Sequence, residues 1–251
     1  MPASVEVILP GFPARTNRGV LGFCTVSLIS SDVKILFDTG HYSDRQNLLA
    51  ELKRRHVEAQ SIDQIVLSHL HFDHCLNIDL FQEATLVLSK RELDYASSKM
   101  PEERGDFSIP KPIIGLVHNR KMIEANEGVK LAEGVKVVET PGHTPGSISL
   151  LVEGEGRRTI LVGDAVKNAW EFNRGEPEIT FGESKDARES IKKIKAMGDV
   201  IVPGHDRRFV FKDGRVDYLD ELDLRIYARI APELERWTVY SISTRSTLEN
   251  P

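Results

Sequence analysis

The stretch that most constrains this chain is Ser68-His69-Leu70-His71-Phe72-Asp73-His74, where three of the eight histidines and one carboxylate fall within six positions. It follows directly on Ile65-Val66-Leu67, a short apolar run that reads as a buried strand. In extended backbone, residues two apart point the same way. His69 and His71 can therefore face one ion together, while Asp73 and His74, past a turn, face another. Imidazole and carboxylate are ligands suited to zinc, iron or manganese. The competing reading is four polar residues satisfied by ordinary hydrogen bonds.

Three further residues repeat one context, in which an apolar strand runs into a Gly-containing turn with a ligand type at its tip. They are His143 in Thr-Pro-Gly-His-Thr-Pro-Gly, Asp164 in Leu-Val-Gly-Asp-Ala and His205 in Val-Pro-Gly-His-Asp. Each alone is a polar turn residue. With the first motif they make seven ligands, enough for two adjacent ions.

Elsewhere strands and helices alternate. Strands are expected at Val5 to Leu9, Phe23 to Ile29, Lys34 to Phe37, Thr85 to Leu88, Val135 to Val138 and Val200 to Val202. Ser147 to Val152 and Thr159 to Val162 read as a hairpin. Helices are expected from Arg45 to Arg55, capped by Asp44 with Leu48, Leu49 and Leu52 on one face, and from Lys90 to Ser97. Another runs from a Ser184 cap through Met197 to Gly198, and a last one covers Asp217 to Ile230, with Leu219, Leu222, Ile226 and Ile230 at helical spacing. Residues 1–251 read as a single domain. Within it, 99–128 carry Pro101, Pro110 and Pro112 with weak periodicity, an irregular insert suited to a lid or to a packed excursion.

Composition narrows the function. No apolar run approaches the ~18 residues of a membrane helix, and the first residues lack the basic and apolar regions of a signal peptide. Cys24 and Cys75 are too few for a disulfide scaffold. A cytoplasmic protein without membrane attachment is the expectation. The net charge of −5 disfavours a general nucleic-acid binder. The local run Lys192-Lys193-Ile194-Lys195 falls in a helical pattern and reads as a solvated face.

The histidine motif, the early Asp38-Thr39-Gly40 turn and the three later ligand turns, in this order from Asp38 to His205, resemble the metallo-β-lactamase-fold superfamily of binuclear metallohydrolases. The resemblance implies an α/β fold, a four-layer αβ/βα sandwich of two mixed sheets face to face with helices outside. It implies two divalent metal ions, zinc foremost with iron or manganese as alternatives. His69, His71 and His143 would hold one, Asp73, His74 and His205 the other, and Asp164 would bridge them. Asp38 would support the site without ligating. Relatives with redox chemistry resemble His-x-Glu-x-Asp, and His71 occupies the middle position here, so hydrolysis fits. A water between two such ions has its pKa lowered from 15.7 to about 7 and becomes a hydroxide nucleophile. Asp73 would orient it or shuttle its proton.

The motif and chain size look most like the acyl-homoserine-lactonase branch, which implies a small lactone, ester or thioester substrate. Those lactonases carry a Tyr three residues after the bridging Asp, and this chain has Lys167 there. We expect Lys167 to reach the pocket and bind a substrate oxyanion or carboxylate, against the alternative that it points to solvent. Trp170 and Phe172 either line the pocket or pack in the core. Glyoxalase II-type thioesterases add a larger helical domain after the last ligand. A single-domain phosphodiesterase or RNA nuclease is the main alternative, with Arg207 and Arg208 beside His205 as phosphate-binding groups. A metal-bound binding protein without turnover is a further one. The last helix and the tail with Trp237 and Tyr240 either meet a second subunit, as in a homodimer, or fold back on the core. Cys75, His41, His56 and His118 are left outside the site.

Overall fold

A computed structural model describes residues 2–154, 156–229 and 237–243. Two mixed sheets form its centre. The first orders its strands Ser4–Leu9, Val26–Ser30, Lys34–Phe37, Gln64–Val66, Thr85–Leu88 and Met122–Glu124, antiparallel across the first three and parallel from the third onward. The second orders Arg215–Tyr218, Phe209–Lys212, Val200–Pro203, Arg157–Gly163, Ile148–Gly154, Val135–Glu139 and Lys130–Ala132, with the Arg157–Gly163 and Val200–Pro203 pair parallel.

Period-two alternation decides the layering. Ile35 and Phe37 pack with Val66, Val87, Val137, Leu150 and Leu161 in a core shared by both sheets. Leu36, Ile65 and Leu86 face the other way, onto Leu48 and Leu52 of the helix Arg45–Arg54, Leu93 of Lys90–Ser97 and Ile113 and Val117 of Lys111–His118. Ile160, Val162 and Ile201 of the second sheet meet Ile191 and Ile194 of Ser184–Met197 and Phe172 of Ala169–Arg174. Both sheets are thus covered outside by helices, the αβ/βα arrangement. Each such fully buried aliphatic side chain contributes about 1.5–3 kcal/mol of transfer free energy.

Several local expectations are corrected. Leu49 is 38% exposed, off the buried face held by Leu48 and Leu52. Asp44 occupies the N-cap position of Arg45–Arg54 but makes no side-chain cap bond. Its carboxylate accepts instead from the His41 N–H, 3.2 Å away, closing a 3-10 turn. Ser184 is the first helical residue, not the cap. The largest change is at Asp217 to Ile230. Residues Arg215–Tyr218 and Asp223–Ala228 are strands, the second paired with Thr238–Ser243, and Ile230 lies outside the described residues. Trp237 precedes and Tyr240 lies in the strand Thr238–Ser243, and both are half-exposed. The segment 99–128 holds the helices Met100–Glu103 and Lys111–His118 and ends in the sheet-edge strand Met122–Glu124. No helix among the described residues is long and apolar enough to cross a membrane.

Candidate metal centre

Five strand ends deliver the site. Asp38 follows Lys34–Phe37, the His69–His74 run follows Gln64–Val66, and His143, Asp164 and His205 follow Val135–Glu139, Arg157–Gly163 and Val200–Pro203. His71 has extended backbone and immediately precedes the short helix Phe72–Cys75. The chain therefore changes from period two to helical geometry between His71 and Asp73, which separates the aim of the first two ligands from the next two. Gly204 permits the tight assembly, because a Cβ there would lie 2.3 Å from Asp164 Oδ1.

All seven sequence-identified side chains converge. Candidate ligand atoms of His69, His71 and His143 lie within 4.8 Å of one another, as do those of Asp73, His74 and His205, and those of His69, His74 and Asp164. Asp164 sits between the groups, with Oδ1 3.2 Å from His74 Nε2 and 3.3 Å from His205 Nε2, and Oδ2 3.3 Å from His143 Nε2. Every one of these residues is buried.

The outer nitrogen of each imidazole is spoken for. His74 Nδ1 donates to Asp38 Oδ2 at 2.8 Å, His205 Nδ1 to the Phe23 carbonyl at 3.0 Å and His143 Nδ1 to the Ile179 carbonyl at 3.2 Å. His71 is reversed, its Nε2 donating to Asp106 Oδ2 at 3.1 Å. His69 Nδ1 meets Ser68 Oγ at 2.9 Å, and that hydroxyl already donates to Asp38 at 2.8 Å, so His69 is the donor. Carboxylate and carbonyl partners only accept, which fixes each neutral imidazole with its lone pair facing inward. His69 Nε2, His74 Nε2 and Asp164 Oδ1 are buried with no hydrogen-bond partner. His71 Nδ1 and His143 Nε2 stand 3.1 Å apart with both lone pairs turned to the same space. Buried acceptors facing one another need a cation or protons between them, and this donor set fits divalent metal ions.

Titration follows the same logic. Burial pushes His143 down to about 3, helped by the nearby Lys167 cation, and burial likewise holds His69 well below its usual value. Burial opposes charge on His205 too, but Asp164 and Asp73 overcome it and raise it to about 9. His74 is raised in the same way, by Asp164 and Asp38 among others. The Asp73 and Asp164 carboxyls are held below the usual range against burial, by His74 and His205.

Sequence reasoning named Asp38 as a support and missed two further carboxylates, Glu92 and Asp106. Asp38, buried and in the left-handed region at φ 60°, accepts from the Ser68 N–H at 2.7 Å besides His74. Glu92, fully buried, accepts from the Leu70 N–H at 3.0 Å, the Gly146 N–H at 3.2 Å and the Thr144 hydroxyl at 2.6 Å, tying the His69–His71 loop to the His143 loop. Asp106 comes from the 99–128 segment. Nothing local in the sequence marks these two carboxylates, because the ligand loops they hold, at Leu70, Thr144 and Gly146 for Glu92 and at His71 for Asp106, are over 20 residues away.

Above the cluster lies a cleft of about 240 Å³, walled by Phe12, Val20, Phe72, Ile179 and Phe181 and reached by Lys167. Lys167 Nζ donates to Glu171 Oε1 at 3.2 Å. Phe172 is fully buried against Phe209, a core residue, whereas Trp170 is half-exposed on a neighbouring pocket. Arg208 is held by Asp220 through two bonds of 2.9 and 2.7 Å. Lys192 and Lys193 are paired with Glu189 and Glu127 on the helix surface. Cys24 and Cys75 are buried free thiols. His41, His56 and His118 lie outside the metal-type clusters.

Comparison with known proteins agrees with this geometry. Residues 19–205 match the family model of the metallo-beta-lactamase superfamily. The chain is 30% identical over 226 residues to metallo-beta-lactamase domain-containing protein 1 of Xenopus laevis, covering 86% of this chain and 85% of that one. It is 28% identical over 170 residues to an N-acyl homoserine lactonase of Bacillus cereus, covering 65% of this chain and 64% of that enzyme. The structure of a quorum-quenching N-acyl homoserine lactone lactonase superposes with a TM-score of 0.62 at 26% identity, over 81% of this chain and 91% of the other. With its ligand turns, its sandwich and its matched region all coinciding, the chain belongs to the metallo-β-lactamase superfamily.

Proposed function

We propose that this protein is a binuclear metallohydrolase that cleaves a small lactone, ester or thioester. The observation that carries the reading is the convergence of seven inward-facing ligand atoms at the floor of a largely apolar cleft. Similarity to lactonases over about two-thirds of the chain supports the substrate class. His69, His71 and His143 would hold one ion, Asp73, His74 and His205 the second, and Asp164 both, with zinc as the first candidate. Bound there, the ions would supply Lewis acidity, lowering the pKa of a water and offsetting oxyanion charge.

The chain's own groups do the rest. Asp73, anionic at neutral pH, accepts a hydrogen bond from the attacking water and passes a proton to the leaving group. Lys167 binds the substrate carbonyl oxygen as it gains charge, the position the related lactonases give to a Tyr. Its pairing with Glu171 keeps the ammonium in place. Phe12, Phe72 and Phe181 shield the acyl portion from water. The phosphodiesterase alternative loses one support, since Arg208 is committed to Asp220.

The test is hydrolysis by metal-reconstituted protein of acyl-homoserine lactones, aryl esters, a glutathione thioester, a β-lactam, bis-p-nitrophenyl phosphate and a short RNA, with Asp73→Ala as control. Lactone, ester or thioester turnover abolished in the variant is the expected result. Turnover confined to the phosphodiesters overturns the substrate class.

A further inference from the structure

A second pocket, of about 440 Å³, adjoins the metal cleft and shares Phe12, Pro13, Asn168 and Glu178 with it. A molecule seated over the metal-type cluster can therefore extend into it. Its distinctive wall is Arg207, two residues beyond His205. The Arg207 side chain is only 13% exposed, and its guanidinium lies flat over the Tyr218 ring at 3.6 Å. Its Nε is buried and makes no hydrogen bond. Asp206 Oδ1 forms an ion pair with Nε at 3.6 Å, too long for a hydrogen bond.

The neighbouring negative charges are already engaged. Asp206 Oδ1 accepts from the Arg207 N–H at 2.8 Å, and Oδ2 from the Ala169 N–H at 3.1 Å and the Tyr218 hydroxyl at 2.9 Å. Glu178 pairs with Arg15 at 3.2 Å. Asp206 thus anchors the Tyr218 ring on which the guanidinium rests, while no carboxylate among the described residues meets the Arg207 fork in the paired, planar way. A guanidinium stacked on an anchored ring at the wall of the pocket is pre-organised to offer its terminal nitrogens to a carboxylate or phosphate oxygen pair. Half-exposed Trp170 forms a further wall and gives an apolar spacer a surface to lie on.

We propose that this pocket is a specificity subsite for a remote oxyanion of the substrate, bound by Arg207, so that the preferred substrate is an ester, lactone or thioester with a carboxylate or phosphate at its far end. The proposal rests on the hydrolase reading for the reacting end, and it adds the second recognition point. Lys167 serves the reacting carbonyl, and Arg207 serves the distant anion.

The experiment compares zinc-loaded wild type with Arg207→Met on mono-4-nitrophenyl esters of glutarate, adipate and pimelate, with neutral 4-nitrophenyl hexanoate as reference. A terminal-phosphate ester separates the two oxyanion sources. At least one anionic ester should be preferred over the hexanoate by about tenfold or more in kcat/KM, through KM, as expected for a charge-assisted bond. In the variant the ratio of anionic-ester to hexanoate kcat/KM should fall to about one. Equal preference in both proteins, or none in the wild type, overturns the subsite. Should Arg207→Met fail to fold, Arg207→Lys keeps the charge and loses the fork, and most of the preference should still be lost. Calorimetric titration with free glutarate, adipate and pimelate separates the two claims. Arg207-dependent binding without turnover of any ester supports the subsite and removes the hydrolase reading, whereas turnover of the esters without dependence on Arg207 does the reverse.

Discussion

Glu92→Leu isolates what holds the two ligand-bearing loops together. Glu92 is fully buried, and burial raises its pKa against the hydrogen bonds it accepts. Its role is to accept. Oε1 takes the Leu70 N–H, between His69 and His71, and Oε2 takes the Gly146 N–H and the Thr144 hydroxyl beyond His143. Leucine fills similar volume and excludes water, so both backbone donors are orphaned. Thr144 keeps Ser147 Oγ as a partner at 2.6 Å. At about 1–3 kcal/mol for each unsatisfied buried donor, the loss is about 2–6 kcal/mol. Glu92→Gln can orient its carbonyl to Leu70 or to Gly146 but not to both, and costs about half, about 1–3 kcal/mol. Urea unfolding of the metal-free protein measures both variants. An unfolding free energy of Glu92→Leu within about 0.5 kcal/mol of wild type would show that Glu92 does not tie the loops together, as would a Gln variant less stable than the Leu variant.

Three further outcomes are expected. Metal-free protein should be most stable near pH 6.5. Above it, protonated His205 loses its stabilising charge as pH climbs from about 6.5 through about 9, and His74 acts in the same direction. Below it, the neutral His143 and His69 resist the protonation that the unfolded chain accepts from about 6.5 downward, so stability falls as pH drops towards 3. A melting series at several pH values with and without zinc checks this, the alkaline decline being removed by metal. Phe172→Ala, in the buried stack with Phe209 at 5.0 Å, should cost about 3–5 kcal/mol, while Trp170→Ala on the surface should cost under about 1 kcal/mol, both read by denaturant titration. Asp106→Asn can still pair with His71 Nε2 through its amide oxygen, whereas Asp106→Ala frees the ring. Competition with a chromophoric chelator should show zinc affinity reduced about 10- to 100-fold in the Ala variant and less in the Asn variant.

How much of this was legible beforehand depended on the range over which residues act. The strand Lys34–Phe37 and the helix Lys90–Ser97 have the expected bounds, because their periodicities are unmixed. The seven clustered side chains were readable because a strand end with a turn is a local signal, repeated four times. The misread segment after Gly214 shows the opposite. Leu219, Leu222 and Ile226 imitate a helical stripe, yet Asp213-Gly214 is a two-residue hairpin turn, both residues at positive φ, joining Phe209–Lys212 to Arg215–Tyr218. That turn signal outranked the stripe. Glu92 reaches Leu70, Thr144 and Gly146, and Asp106 reaches His71, across 22 to 54 residues, and no local pattern marks them or the wall residues Phe12 and Phe181.

The central claim is that the inward-facing cluster is a two-ion site. Zinc content of the reconstituted protein, measured by plasma mass spectrometry beside Asp164→Ala, tests it most directly. Two ions per wild-type chain are expected, with at most one retained after loss of the residue between the two groups. One ion or fewer in the wild type, or two in the Asp164→Ala variant, would contradict that claim.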